Sequence, residues 1–248
     1  MKTSSDVNTI FAYGNRDDIF NKKVLLFRAK KMKYKYVLLS NVSASFVYTY
    51  KDRLSTGCIV IEKAIREEKK KRDSSPSKSY KPSLFSLSEN VNNKISEYLV
   101  ELQRDNNINV KSVRIFIDLL LSDYSIPRLY EEDEAFAEFK EKYIINAEKR
   151  AFEVINKFVR FFRRYDFMYI ENYQKYDEWK IKIKSSKEQV FDKKRDKEDI
   201  EIATEFLSFN EEFGQLEFFT CDKECGESIK KIAKEYRRSV GHIEIIRK

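Results

Sequence analysis

The sequence has few residues of the kinds that interrupt regular structure or form cross-links. Its 248 residues include only five glycines and three prolines, which favours long helices over an all-β fold with many turns. No glycine-rich phosphate loop is present, which argues against a nucleotide-hydrolysing motor or a kinase. The single histidine, His242, forms no recognisable nucleophile pair with a serine or a cysteine, so a catalytic triad is not indicated.

Long apolar runs are also missing. None approaches the roughly 20 residues that a membrane-spanning helix needs, and Met1–Ser5 lacks the apolar core of a signal peptide. Three cysteines are too few for a disulfide framework, and Cys221-x3-Cys225 has no second pair to complete a zinc site. These absences predict a protein of the reducing cytoplasm, with free thiols and no membrane partner.

What the sequence does contain is a folded composition and an uneven charge. Apolar residues make up 42% and aromatic residues 14%, enough for a buried core. The net charge is +8, but residues 1–82 hold 19 Lys and Arg against 8 Asp and Glu, whereas residues 83–248 hold 30 against 33. A positive region beside an acidic one suits an enzyme that processes a polyanion, although a solvated lysine-rich surface would look the same.

The N-terminal part reads as a basic, strand-rich module covering residues 1–72. Aromatic residues alternate from Tyr34 to Tyr50 with the period of a strand, on a segment rich in lysine. Such aromatics either stack on nucleobases or face a core. The predicted strands are Val24–Phe27, Tyr36–Leu39, Ser45–Tyr50 and Cys58–Ile61. Residues 73–82 hold two of the three prolines and are predicted to be a linker or a loop.

The remaining residues, 83–248, predict a helix-rich domain with a few short strands. Helices are expected from Ser88 onward and across Glu132–Tyr165, the latter as one helix or two. Three strands are predicted, at Phe167–Ile170, Leu216–Phe219 and His242–Ile246. They alternate with predicted helices at Tyr173–Ile183, Lys197–Ala203 and Cys225–Arg238. This alternation predicts an α/β fold with a parallel sheet flanked by helices.

Two aspartates mark the ends of predicted elements in this domain. Asp199 opens a helix that continues into Ile202 and Ala203, and Asp222 follows the strand that ends at Thr220. Residues at such positions converge at one edge of a parallel sheet, where carboxylates repel one another unless a divalent cation neutralises them. The pattern therefore suggests a Mg²⁺ or Mn²⁺ site.

This stretch resembles the C-terminal half of PIN-domain nucleases, over about residues 196–246. The resemblance implies three or four carboxylates that hold divalent metal at the carboxyl edge of a parallel sheet. The metal activates water to hydrolyse a phosphodiester, usually in RNA. The resemblance also implies that Asp199 and Asp222 bind metal and that Thr220 is a supporting hydroxyl.

The family also has an aspartate, followed by Thr-Asn, at the end of its first strand, and two assignments are open. In the first, Arg114–Asp118 is that strand and Asp118 the leading metal ligand, although Leu119 and Leu120 replace the Thr-Asn. The same segment also has helical spacing, in which Asp118 would only pair with Arg114. In the second, Tyr36–Val42 is the strand, with Leu39 in place of the aspartate and Asn41 retained.

The second acid of the site is equally open. Under the first assignment it is Glu178, with its neighbour Asp177 as the other candidate, and under the second it is Glu67. The leading hypothesis is a metal-dependent endoribonuclease in which Asp118, Asp199 and Asp222, with Glu178, bind Mg²⁺ or Mn²⁺. Its RNA, or DNA, would bind to basic residues 22–72, and a homo-oligomer is a further option. The alternative is a catalytically degenerate binding protein on a nuclease-like fold, and a third is a helical scaffold.

Overall fold

The computed structural model describes residues 2–16, 18–74, 83–104, 109–186, 190–192 and 196–246. The chain divides into two compact units. One, which we call the sheet unit, comprises Met1–Val47 and Glu153–Lys248, and the other, the helical unit, comprises Tyr48–Phe152. In sequence, the helical unit is therefore an insertion between the two segments of the sheet unit.

The sheet unit is built on five parallel strands in the order β3-β2-β1-β4-β5. Parallel neighbours cannot be joined by hairpins, so each connection between them passes through helical segments. The strands are β1 (Lys2–Ser5), β2 (Lys35–Leu38), β3 (Arg164–Phe167), β4 (Leu216–Thr220) and β5 (Ile243–Ile245). The confirmed part of the sequence prediction is thus a helix-rich α/β fold with a parallel sheet flanked by helices.

Helices before and after these strands complete the sheet unit. Asp6 and Asp222 each cap the start of one of these helices. The helix Lys197–Phe213 ends at Gly214, whose φ of +88° is a conformation that glycine adopts without strain. The helices wholly within this unit are α1 (Val7–Gly14), α2 (Asn21–Lys31), α8 (Tyr176–Lys184), α9 (Lys197–Phe213) and α10 (Lys223–Glu235). Two longer helices, α3 (Ser40–Ser74) and α7 (Asp133–Val159), have one end in each unit.

The helical unit contains the remainder of α3 and α7 together with three shorter helices, α4 (Leu84–Arg104), α5 (Val110–Asp123) and α6 (Ile126–Glu131). Side chains of Asn109 and Ser125 cap α5 and α6 by accepting hydrogen bonds from backbone N–H groups. The core of this unit is aromatic and aliphatic, with Phe139 and Tyr143 fully buried on α7. Among the described helices, none has both the length and the apolar composition that crossing a membrane requires.

Three of the four strands predicted in residues 1–72 are wrong. Val24–Phe27 lies in α2, while Ser45–Tyr50 and Cys58–Ile61 lie in α3. Only Tyr36–Leu39 is a strand, now β2, and it pairs with β1 and β3 in the common sheet rather than in a separate module. The predicted linker at 73–82 falls mostly outside the described residues, and the structure divides the chain at 47–48 and 152–153 instead.

Asn210 ties the end of α9 to two other segments of the sheet unit. Its buried Oδ1 accepts hydrogen bonds from the N–H of Leu216, at 3.0 Å, and of Gly241, at 2.9 Å. Its Nδ2 donates to the carbonyl of Phe206 at 2.8 Å. Gly241 passes so close to β4 that an added Cβ would lie 2.1 Å from the carbonyl oxygen of Leu216, so no larger residue fits there. The start of β4 and the approach to β5 therefore depend on one amide.

We expect Asn210→Ala to lower the free energy of unfolding by about 2 kcal/mol, because two buried N–H groups lose their acceptor. Urea denaturation measures this loss. The matched control is Asn146→Ala, since Asn146 makes only the bond from Nδ2 to the carbonyl four residues earlier, at 2.9 Å. Equal effects of the two substitutions would contradict the role assigned to Asn210.

Candidate active site at the carboxyl edge of the sheet

Two neighbouring strands place polar residues at one edge of the sheet. β1 and β4 are parallel, with Ser5 beside Phe219, and the N–H of Asp6 continues the pairing by donating to the carbonyl of Phe219 at 3.0 Å. Asp6 is the first residue after β1, Thr220 is the last residue of β4, and Asp222 lies two residues beyond Thr220. Carboxyl ends of adjacent parallel strands are a common location for active sites in α/β proteins.

Asp6 is the most buried of these acids, with 3% of its surface exposed. It caps α1, and its Oδ1 accepts from the N–H of Thr9 at 2.7 Å. Its Oδ2 accepts a short hydrogen bond from the hydroxyl of Thr220. Burial raises the pKa of Asp6, the bonds from Thr220 and Thr9 oppose that rise, and the charge of Asp222 adds to it. The fold thus holds a buried carboxyl group in a fixed orientation.

Thr220 joins the two strand ends. While its hydroxyl donates to Asp6, the same oxygen accepts from the N–H of Asp222 at 2.8 Å. Asp222 in turn caps α10, since its Oδ1 accepts from the N–H of Cys225 at 3.0 Å. The Thr220 hydroxyl therefore links the side chain of Asp6 to the backbone of Asp222, while its predicted role in supporting a metal site stays a prediction.

Asp199 lies in the first turn of α9 and interacts electrostatically with both of these acids. Its pKa is raised to about 7, first by burial, then by the charge of Asp222, and further by Asp196, Asp6 and Glu198. The buried thiol of Cys225 has its pKa raised by burial and by the charges of Asp199, Asp6 and Asp222. We call Asp6, Asp199 and Asp222 the carboxylate cluster, because the charge of each raises the pKa of the same thiol, that of Cys225.

No described lysine, arginine or histidine forms an ion pair with any member of the carboxylate cluster. Carboxylate oxygens are the ligands that Mg²⁺ and Mn²⁺ prefer, so the donor chemistry fits a divalent cation. The described residues nevertheless contain no group of three acidic, histidine or cysteine side chains placed so as to hold a metal ion. A cation could be bound only if side chains of the cluster moved closer together, with Asp6 sharing oxygens now bonded to Thr9 and Thr220.

The acid that the sequence interpretation missed is Asp6. The strand before it, Lys-Thr-Ser-Ser, carries no apolar residue, so it gave no strand signal. A local signal was nevertheless present, because an aspartate followed three residues later by Thr9 and by an apolar run is typical of a helix start. Of the predicted site residues, the structure brings together Asp199, Thr220 and Asp222.

The first assignment of the leading strand is wrong, because Arg114–Asp118 is part of helix α5. Asp118 is exposed in the helical unit, where its carboxylate pairs with the guanidinium of Arg114 at 2.9 Å. The second assignment correctly places Tyr36–Leu38 in a strand, β2, but that strand is not the one that ends in the cluster. Leu39 is fully buried, and Asn41 donates to the hydroxyl of Tyr176 at 2.9 Å.

The candidates for the second acid lie elsewhere. Glu178 is on α8, where the ammonium groups of Lys182, at 2.5 Å, and Lys175, at 3.0 Å, bond its carboxylate. These lysines lower the pKa of Glu178 to about 2, so it is a paired surface carboxylate. Its neighbour Asp177 is exposed on the same helix, and Glu67 is exposed on the part of α3 that belongs to the helical unit.

Comparison with known proteins adds no identification: no family model matches the sequence, and no curated protein or solved structure is significantly similar to it.

Proposed function

We propose that this protein is a metal-dependent endoribonuclease on a PIN-like fold, and that the carboxylate cluster is its active site. The observation that carries the proposal is geometric: the Thr220 hydroxyl joins Asp6 and Asp222 at the carboxyl ends of two adjacent parallel strands, and Asp199 interacts electrostatically with both acids. Carboxylates without a described cationic partner repel one another, and a divalent cation would relieve that repulsion. An arrangement that is unfavourable without metal is typical of a functional site.

The resemblance to PIN-domain nucleases supports this proposal better with Asp6 than with Asp118. Asp6 follows a strand in the middle of the sheet, and the next residues are Val7 and Asn8. The family's Asp-Thr-Asn is thus matched at its first and third positions, with valine replacing threonine. Asp6, Asp199 and Asp222 then supply three of the three or four carboxylates that the family uses.

The chemistry divides between the cation and the protein. A bound Mg²⁺ or Mn²⁺ would lower the pKa of a coordinated water and stabilise the charge that develops on the phosphate. Asp6, Asp199 and Asp222 would hold it. Thr9 and Thr220 orient the carboxyl group of Asp6, and the N–H of Cys225 orients that of Asp222. Because the pKa of Asp199 is about 7, cation binding at neutral pH would displace a proton from its carboxyl group.

One observation favours a second candidate, a catalytically degenerate nucleic-acid-binding protein. Both oxygens of Asp6 already accept hydrogen bonds, and among the described residues no three ligands are arranged to hold an ion. Titration calorimetry with Mn²⁺ separates the two candidates. Binding that disappears in Asp199→Asn supports the nuclease, whereas undetectable binding to the wild-type protein supports the degenerate fold.

The decisive experiment is cleavage of single-stranded RNA in Mn²⁺ and in chelator. We expect wild-type activity to need the metal and Asp222→Asn to lose at least about tenfold, because a ligand is removed while the amide can still cap α10. The matched control is Asp118→Asn, which removes an exposed carboxylate that pairs only with Arg114. It should cleave at the wild-type rate.

Two results would reject the nuclease. One is equal activity of Asp222→Asn and wild type, and the other is the absence of cleavage with any divalent metal on RNA or DNA. A loss of activity in Asp118→Asn comparable with that in Asp222→Asn would also count against the carboxylate cluster as the active site. Predicted binding of RNA through residues 22–72, which the structure distributes over α2, β2 and α3, stays a prediction.

A further inference from the structure

Exposed aromatic side chains are concentrated on one edge of the sheet. Of the eight large exposed aromatics among the described residues, four lie between 161 and 169. Tyr165, Phe167 and Tyr169 have exposed fractions of 41, 43 and 61%, on and just after the edge strand β3. Large apolar groups left on a surface at this density mark a place where something binds.

The residues that precede and begin the edge strand β3 are basic. Arg160, Arg163 and Arg164 are exposed, and in the part of the chain that the structure describes their side chains have no ion-pair partner. The one carboxylate of β3, Asp166, is neutralised by Lys35 of β2. We call Tyr165, Phe167 and Tyr169 together with Arg160, Arg163 and Arg164 the β3 surface. Its charge is complementary to a polyanion.

The position of the β3 surface relates it to the carboxylate cluster. β2 separates β3 from β1, so Phe167 and Asp6 are two strand spacings apart across the sheet, roughly 10 Å. The strands are parallel, so the carboxyl end of β3 and Asp6 lie on the same side of the sheet, where the strands end. A strand of nucleic acid bound along this edge could therefore reach the cluster without leaving the sheet unit.

We propose that the β3 surface binds the single-stranded part of the RNA substrate, with bases on Tyr165, Phe167 and Tyr169 and phosphates on the three arginines. Aromatic side chains stack on bases of any sequence, and unpaired arginines attract the backbone. The inference rests on the proposed function for the identity of the polyanion. A duplex would bind less well, because its bases are already stacked on one another.

The test is fluorescence anisotropy of a labelled single-stranded RNA with the full chain in chelator, so that no cleavage occurs. We expect Tyr165→Ala and Phe167→Ala each to weaken binding about tenfold. Arg163→Gln and Arg164→Gln should each reduce the slope of log affinity against log salt by roughly 0.7. The matched control is Phe85→Ala, a large exposed aromatic of α4 in the helical unit and outside residues 22–72, with an exposed fraction of 77%. It should bind like wild type.

The outcomes separate this inference from the proposed function. RNA binding that is insensitive to the β3 substitutions, or equally sensitive to Phe85→Ala, overturns the inference while metal-dependent cleavage is assessed independently. Absence of RNA binding at low salt also overturns it. If Tyr165→Ala and Phe167→Ala instead change the sedimentation of the protein without changing RNA affinity, the exposed edge pairs with a second copy of the chain and the inference is wrong.

Discussion

Asp199→Asn is expected to raise the free energy of unfolding of the metal-free protein at about pH 8, by up to about 4 kcal/mol. The pKa of Asp199 is about 7 in the folded protein against an ordinary value of 3.8, because burial and the charges of Asp222 and Asp6 disfavour its ionised form. At about pH 8 the wild-type group is ionised in both states, and folding places that charge in an unfavourable site. An amide avoids the charge and nearly keeps the shape.

The sign of the pH dependence follows from the same values. Between about pH 4 and pH 7 the folded protein keeps a proton on Asp199 that the unfolded chain has lost, so wild-type stability falls as pH rises. The variant lacks this slope. The difference between them should therefore be near zero at about pH 4, grow through this interval and reach its maximum above about pH 7. Urea denaturation at several pH values in chelator measures it.

Adding Mn²⁺ should reverse the order. A cation that binds only the folded wild-type protein stabilises it in proportion to the logarithm of its concentration above the dissociation constant, and the variant should gain less. Asp118→Asn, which removes a paired surface carboxylate, should change little under any of these conditions. If Asp199→Asn proves less stable than wild type at about pH 8 in chelator, the carboxylate is a stabilising structural group and the cluster is not a repulsive one.

Glu205→Ala is expected to lower the free energy of unfolding by about 3–5 kcal/mol. Glu205 is on α9 with 0% of its surface exposed, and its carboxylate accepts from the N–H groups of Ser40, at 2.7 Å, and Asn41, at 2.8 Å. These are the first residues of α3, whose N-terminal N–H groups have no partner within the helix. Alanine removes the acceptor of these two N–H groups and of the buried hydroxyl of Tyr173, which donates to Glu205 at 3.3 Å.

The same helix offers a matched control in Glu212. Its carboxylate also accepts from two backbone N–H groups at the approach to a helix, those of Gln174 at 2.9 Å and Lys175 at 2.7 Å, but it is partly exposed. Water can replace it, so Glu212→Ala should cost about 1 kcal/mol or less. Chemical denaturation of both variants at neutral pH tests the comparison. Similar losses would show that burial does not set the importance of Glu205.

The C-terminal part of the fold could be predicted from the sequence because its elements are short and locally marked. β4 is a short, largely apolar run ending in Thr220, and Asp222, two residues later, caps α10. Asp199 stands in the first turn of α9, where acidic residues are favoured. Three of the predicted site residues therefore lie where helix and strand signals agree.

The strands predicted within α3 failed because one set of residues fits two periods. Phe46 and Tyr50 are buried, but Tyr48 between them is exposed, so the alternation of aromatics does not define a face. The buried positions continue at intervals of three and four, which is the spacing of a helix. The buried residues at these intervals are Phe46, Tyr50, Leu54, Cys58, Ile61 and Ile65.

Asp6 and β1 could not be predicted from hydrophobicity at all. Thr3, Ser4 and Ser5 are fully buried, because β1 is the central strand and has β2 on one side and β4 on the other. Ser5 is accommodated by its hydrogen bond with the hydroxyl of Tyr36, at 2.8 Å, which is a contact between residues distant in sequence. Predictions from local patterns cannot detect burial that depends on such partners.

The pairing of β1 with β4 also determines when the carboxylate cluster can form during synthesis of the chain. The hydroxyl of Thr220 that holds Asp6 comes from a residue 214 positions later in the chain. Ribosome-bound chains that stop before β4 would leave the β4-facing side of β1 without its partner strand, a target for aggregation or for chaperones. Formation of the sheet centre therefore requires contacts of very high sequence separation, which slow folding. A chain that lacks β4 cannot assemble the carboxylate cluster, because Thr220 and Asp222 are not yet in place.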